Sequence, residues 1–148
     1  MKSHWIRLLL WSLVVVCVAG CGTLSKHASR RVAVAKLNLA RQGALVCIMY
    51  AGDHGGQYPP NLSATASYFN GNTNSLNDLI AGFDLVYSGA DTNIIKPAET
   101  IVIRQKQAWQ RGGGNWLKAY AFADGHAEIH ASPNGNFDDW EKAGLIKP

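Results

Sequence analysis

The chain lacks the usual marks of an active site. No serine or cysteine has an identifiable base, and no carboxylate pair is set out for acid–base work. The glycine-rich stretch 110–115 has no Lys-Ser/Thr ending, so it is not a phosphate-binding loop. With these signatures missing, the chain reads as a non-enzyme that uses no cofactor. Proline is absent from residues 28–51, and glycine occurs there once, at Gly43. That absence permits one long helix.

Residues 28–51, ASRRVAVAKLNLARQGALVCIMYA, are dominated by good helix formers. About 24 helical residues make a rod of about 36 Å. The apolar residues fall on two stripes. Val32, Ala35, Leu39, Val46 and Tyr50 share one side; Ala33, Leu37, Ala40, Ala44, Ile48 and Ala51 share roughly the opposite one. From 44 to 51 the sequence is apolar almost all round, which predicts that the end holding Val46, Ile48 and Tyr50 is buried. Toward the N-terminus, a stripe drawn from Val32, Ala33, Leu37 and Leu39 is expected to stay exposed and to dock on a membrane or a partner helix. Two stripes imply two partners, the chain's own sheet and something else; a helix embedded in a single domain is the other reading. Gly52, Asp53, Gly55 and Gly56 end the helix, and Pro59-Pro60 prevents its resumption.

Residues 1–20 read as a targeting segment. Lys2 and Arg7 form a basic start, and residues 8–19 form an apolar run too short for a comfortable membrane span. The run ends in Val18-Ala19-Gly20-Cys21, which resembles the lipobox of bacterial lipoproteins. The resemblance implies that Cys21 is acylated and becomes the new N-terminus. An uncleaved anchor with a chance cysteine is the alternative. Several acyl chains on one residue hold a protein durably, which one chain does not. Gly22 stands where an aspartate would favour inner-membrane retention, so the outer membrane or its periplasmic face is the expected location. Cleavage leaves 128 of the 148 residues, enough for one domain with a core. Losing Lys2 and Arg7 lowers the formal charge from +4 to +2, too little to argue for nucleic acid. With Cys21 lipidated, Cys47 has no partner for an intramolecular disulfide and reads as a small buried hydrophobe.

The rest of the chain reads as sheet. Asn70-Gly71 marks a turn, 76–81 a short helix and 83–88 a strand. Residues 100–107, TIVIRQKQ, alternate as a strand with Ile101 and Ile103 on one face and Val102, Arg104 and Lys106 on the other. In KAYAFADGHAEIHA, residues 118–131, Asp124-Gly125 predicts a two-residue hairpin loop. That register sets Phe122 opposite Ala127 and Tyr120 opposite Ile129 as the core face. Ala119, Ala121, Ala123, His126, Glu128 and His130 then share the other face. Residues 136–146 form a short terminal helix, with Asn136 as its cap, acids in its first turn and Trp140 as its anchor.

The run RRVAVAKLNLARQGALVCIMYAGDHGGQYPPNL resembles the second half of the long N-terminal helix, and the following turn, of type IV pilin-like proteins. It is most similar to the type II secretion pseudopilin-like proteins of Verrucomicrobia and Planctomycetes. Their Met-Tyr-Ala-x-Asp-x-x-Gly-x-Tyr-Pro pattern is matched by Met49, Tyr50, Ala51, Asp53, Gly56, Tyr58 and Pro59. Their C-terminal Ala-Asp-Gly-His hairpin is matched by Ala123, Asp124, Gly125 and His126. The resemblance implies an α+β fold, with a long N-terminal helix packed on a small antiparallel sheet and a short C-terminal helix. Residues 1–20 are then the signal, 21–27 a tether and 28–148 one pilin-like domain. It also implies a structural or interaction protein of a secretion or cell-surface assembly, held to the membrane through Cys21 and meeting pilin-like or secretion-system partners through its N-terminal helix. Pilin-like precursors carry about twenty apolar residues of membrane helix, the packing core of a filament. A lipoprotein signal stands in that place here, which argues against assembly into a filament.

The alternative is a metal- or ligand-binding envelope lipoprotein. His126, Glu128 and His130 alternate on one strand, so all three side chains project together, and strand-borne His-x-His pairs ligate zinc. Asp53 or His54 would supply a fourth ligand, and Asp84 and Asp91 are weaker candidates for calcium. If Cys21 carries lipid, Cys21→Ala abolishes incorporation of labelled palmitate and releases the chain from the membrane fraction. Unchanged labelling would refute processing at that residue.

Overall fold

The computed structural model describes residues 29–144. The expected signal at 1–20, Cys21 and the expected tether at 21–27 lie outside the described residues. The fold is α+β, as expected. Helix α1, Ser29–Asp53, leads into an antiparallel sheet of five strands, and a short helix follows. In chain order come a 3-10 stretch at Leu62–Phe69, helix α2 at Thr73–Gly82, and strands β1 at Phe83–Leu85 and β2 at Ile101–Gln105. Then come β3 at Trp109–Gln110, β4 at Trp116–Phe122, β5 at Ala127–Ser132 and helix α3 at Asp138–Gly144. β4 is the hub. It pairs with β2 and with the short β3 along one edge, and with β5 along the other; β1 adds to the far side of β2.

The hairpin at Asp124-Gly125 forms, but one residue out of the expected register. Ala121 faces Ala127, Tyr120 faces Glu128 and Ala119 faces Ile129. The loop has three residues, not two: Gly125 N–H donates to the Phe122 carbonyl, and Phe122 N–H to that of His126, both at 2.9 Å. Only Gly125 takes a left-handed φ, +88°, so Asp124 has no positive φ to adopt. This is a tight turn closed by a glycine bulge rather than a primed two-residue turn. A slip of one residue exchanges every side chain between faces. Ala119, Ala121, Ala123, Ala127 and Ile129 therefore belong to the main core, and Tyr120 and Phe122 belong to a second one. β2 departs from expectation for a similar reason. Its pairing shifts between Ile101 and Ile103, so Val102 and Ile103 both enter the main core while Ile101 joins the second.

The two cores are the two faces of the sheet. On one, the small side chains of β4 meet small residues of α1: Ala40, Ala44, Cys47 and Ala51, all buried. Small residues on both partners let the helix axis approach closely and still fill the space. Gly43 belongs to the same contact. A Cβ there would lie 2.8 Å from Leu79 Cδ1 and 3.4 Å from Ile103 Cγ1, so Gly43 makes room for α2 and β2. Burial pushes the Cys47 thiol up to about 12, consistent with a hydrophobic packing role. On the other face α3 covers Tyr120, Phe122 and Ile101 with Phe137 and Trp140. Asn136 Oδ1 accepts from Asp138 N–H at 2.8 Å in an Asx turn one residue ahead of the cap position, where Phe137 accepts the first helical bond from Glu141 N–H.

The two stripes read along α1 resolve differently from expectation. Val46 is buried, whereas Ile48 and Tyr50 are half-buried. No residue of α1 before Ala40 is buried. Val32 is 45% exposed as expected, but Ala33, Leu37 and Leu39 are half-buried, and Leu39 packs on the main core. Val34, Leu45 and Met49 are 48%, 43% and 54% exposed, on a side that neither stripe included. α1 is long and apolar enough by composition to cross a membrane or to serve as an anchor, with a mean hydropathy of 1.4 over its most apolar 18 residues. In the fold, one face of it is committed to the sheet.

Two glycines of α1 give opposite expectations. A Cβ on Gly52 meets nothing within 4 Å, so Gly52→Ala stabilises by about 0.5–1 kcal/mol through the unfolded chain. Gly43→Val forces branches against Leu79 and Ile103 and destabilises by about 1–3 kcal/mol. Urea midpoints of both variants test this; equal effects of the same sign would disprove the close helix–sheet contact.

Candidate functional site

Three places hold the residues singled out by the sequence: the turn after α1, the face under α3, and the outward side of α1. In the turn, each motif residue has a local task. Tyr50 stacks on the His54 ring at 3.7 Å, and His54 Nδ1 donates to the Tyr50 carbonyl at 2.8 Å. Asp53 accepts a hydrogen bond from the Tyr68 hydroxyl at 2.7 Å, which raises the Tyr68 pKa above the ordinary tyrosine value. Gly56 has φ +83°, and a Cβ there would lie 2.5 Å from the Asp91 carboxylate. The chain then pairs briefly with the segment after β1. Tyr58 N–H donates to Gly89 O at 3.0 Å, and Asp91 N–H to Gly56 O at 2.7 Å. The Tyr58 ring is buried edge-on against Tyr87, and burial pushes its hydroxyl up to about 12. The pattern that ends α1 thus fastens the helix to the rest of the domain.

Under α3, His126, Glu128 and His130 are already employed or apart. His126 stacks on Phe122 at 4.2 Å, and its Nδ1 lies 2.5 Å from Asp124 Oδ1. Burial favours a higher Asp124 pKa, but hydrogen bonds from the backbone and ring of His126 outweigh it and hold that carboxyl below its ordinary value. His130 stacks on Trp140 at 4.2 Å. His126 and Glu128 line a groove of about 270 Å³ with Trp140, Phe122 and Glu99, and His130 does not. Among the described residues no three His, Cys, Asp or Glu side chains converge as metal ligands. Asp84 lies 3.6 Å from Arg104, and Asp91 belongs to the turn at Gly56, so the two calcium candidates serve different elements.

The strongest electrostatic feature of this face is Glu141, which the sequence showed only as one acid in the first turn of a short helix. Its carboxylate is buried and accepts from Lys118 Nζ at 2.7 Å, Tyr120 Oη at 2.7 Å and Arg104 Nη1 at 2.9 Å. Burial alone would raise its pKa. The hydrogen bonds from Lys118, Tyr120 and Arg104 outweigh burial and hold it below the ordinary carboxylate range. The Tyr120 hydroxyl is pushed up by burial and by its bond to that carboxylate. Every acceptor position that matters is filled from within the fold. The network therefore docks α3 onto β2 and β4. A basic side chain on each of two adjacent strands, Arg104 and Lys118, was the signal available in the sequence; the strand register needed to pair them was not.

The outward side of α1 is different in kind. Among the described residues no element covers its exposed Val34, Leu45 and Met49, and Arg31 and Arg41 are exposed beside them. Leu45 leans on the hairpin tip, where a Cβ on Gly125 would lie 2.9 Å from its Cδ2. Compared with family models, curated proteins and solved structures, the chain matches none.

The Glu141 network makes stability depend on pH. A carboxyl whose folded pKa is depressed contributes fully above its unfolded value and loses that contribution as pH falls through the folded value. The domain therefore weakens below about pH 4, the ordinary glutamate range. Glu141→Gln costs about 2–4 kcal/mol at pH 7 by leaving Lys118 and Arg104 unpaired, and it flattens the acid limb. Denaturation curves at pH 7 and at acid pH measure both; an unchanged acid limb in the variant would assign the transition to other carboxylates.

Proposed function

We propose that this chain is a lipid-anchored, pilin-like structural or interaction protein of the bacterial cell envelope, tethered through Cys21 and associated with a secretion or cell-surface assembly. The observation that carries the reading is the N-terminal part of α1, residues 29–39. It follows a lipobox in the sequence, no residue before Ala40 is buried, and Val32 is largely exposed. A helix that leaves its own domain uncovered on the side of its lipid anchor has contacts to make outside the domain. The employment of the histidines and of Glu141 within the fold supports a module without catalysis. The lipobox, with Gly22 following Cys21, supports placement at the outer membrane or its periplasmic face.

A photo-crosslinking residue in place of Val32, in growing cells, tests the reading. The expected product is an adduct with a pilin-like or secretion-system component, lost with Cys21→Ala. A chain that crosslinks to no protein while remaining folded and membrane-bound would contradict the assembly role.

A further inference from the structure

Charge is divided unevenly along the chain. No aspartate or glutamate occurs before Asp53, while Lys26, Arg30, Arg31, Lys36 and Arg41 all do. Within α1 the exposed residues Arg31, Val34, Asn38, Arg41, Leu45 and Met49 recur every three or four positions, so they form one continuous stripe. It runs about 27 Å at 1.5 Å per residue. Arg30 borders it, and among the described residues no carboxylate pairs with Arg30, Arg31 or Arg41. The stripe lies on the side of the helix opposite Ala40, Ala44, Cys47 and Ala51, which hold the sheet.

We infer that this stripe lies on an anionic phospholipid surface, with Val34, Leu45 and Met49 entering the interface and the arginines meeting lipid phosphates. The inference rests on the lipid-anchored reading above and names one surface that the anchor serves. Cations interleaved with large apolar side chains on one exposed face, with no acid among them, are what a helix lying in a headgroup layer presents. The arginines reach phosphate oxygens while their stems lie along apolar surface. Chain length adds a second argument. The eight steps from Cys21 to Ser29 span at most about 29 Å when fully extended. A helix held that close to a bilayer meets it at high effective concentration, so modest affinity suffices. A second copy of the chain fits worse, because the same stripe would set arginine against arginine. Val32 lies on another flank of α1 and remains free for the protein contact proposed above.

The test uses the full lipidated protein in vesicles, with Met49→Cys carrying an environment-sensitive fluorophore. Cys47 is buried and does not compete for the label. Asp139→Cys on α3, across the sheet from α1, is the control. On vesicles containing phosphatidylglycerol, the label at 49 is shielded from an aqueous quencher at low salt and exposed at high salt. On pure phosphatidylcholine it stays exposed, and the label at 139 is exposed throughout. Arg41→Gln lowers the ratio of docked to undocked helix by about fivefold, the effect of one basic side chain near an anionic surface. Equal exposure of residue 49 on both vesicle types, with the protein still floating with both, overturns the inference and leaves the anchor intact. Shielding that grows with protein density on either lipid identifies a second copy as the occupant and likewise overturns it. Failure to float with either vesicle overturns this inference and the anchored reading together.

Discussion

The structure depends on the two-faced character of β4. WLKAYAF alternates so that alanines point to one side and Trp116, Lys118, Tyr120 and Phe122 to the other. On the alanine side Ala119 and Ala121 of β4, with Ala123 just after it, leave room for α1, which answers with its own alanines, Gly43 and Cys47. On the aromatic side the rings need a cover, which α3 supplies with Phe137 and Trp140. Lys118 on that side, with Arg104 from β2, needs a carboxylate, and Glu141 of α3 provides it. Exchange the two faces and both helices lose their seats. The glycine bulge at Gly125 sets the register in which β5 extends both faces without conflict.

This explains which parts of the fold were legible in the sequence. Long-range regularity carried α1, because proline is absent and helix formers are dense over many turns. The strands were visible as alternation, and the terminal helix through Asn136 and its acids. The faces were not visible. Asp-Gly suits both a two-residue loop and the second half of a three-residue loop, and the choice inverts every side chain on β5. The bulge at Val102 inverts Ile101 in the same way, and nothing in TIVIRQ announces it. The 3-10 stretch at Leu62–Phe69 hides in a polar composition, although Leu62, Thr65 and Phe69 bury themselves at three- and four-residue steps.

The candidate sites divide along the same line. His126, Glu128 and His130 alternate on a strand, which is all the sequence could show. Stacking on Phe122 and Trp140 comes from the aromatic layer beneath α3 and depends on tertiary register. Asp53, Gly56, Tyr58 and Pro59 were conspicuous as a motif, and their tasks turn out to be conformational. What the fold leaves unused is one side of α1. The exposed side is only partly the one read from periodicity: Val32 stays out and Val46 is drawn in as expected, whereas Leu39 packs on the main core, and Val34, Leu45 and Met49, in neither stripe, are left out.

The central claim is that α1 has one face sealed by the sheet and one open, and Cys47 and Met49, two residues apart, report on the two faces. The direct measurement is chemical accessibility of both in the folded, detergent-solubilised protein, whose one methionine besides Met1 is Met49. Met49 should oxidise with peroxide at close to the rate of a free methionine. Cys47, buried and with its thiol pushed up to about 12, should resist maleimide until the domain unfolds. A Cys47 that reacts in the native protein, or a Met49 shielded as well as Cys47, would contradict the account.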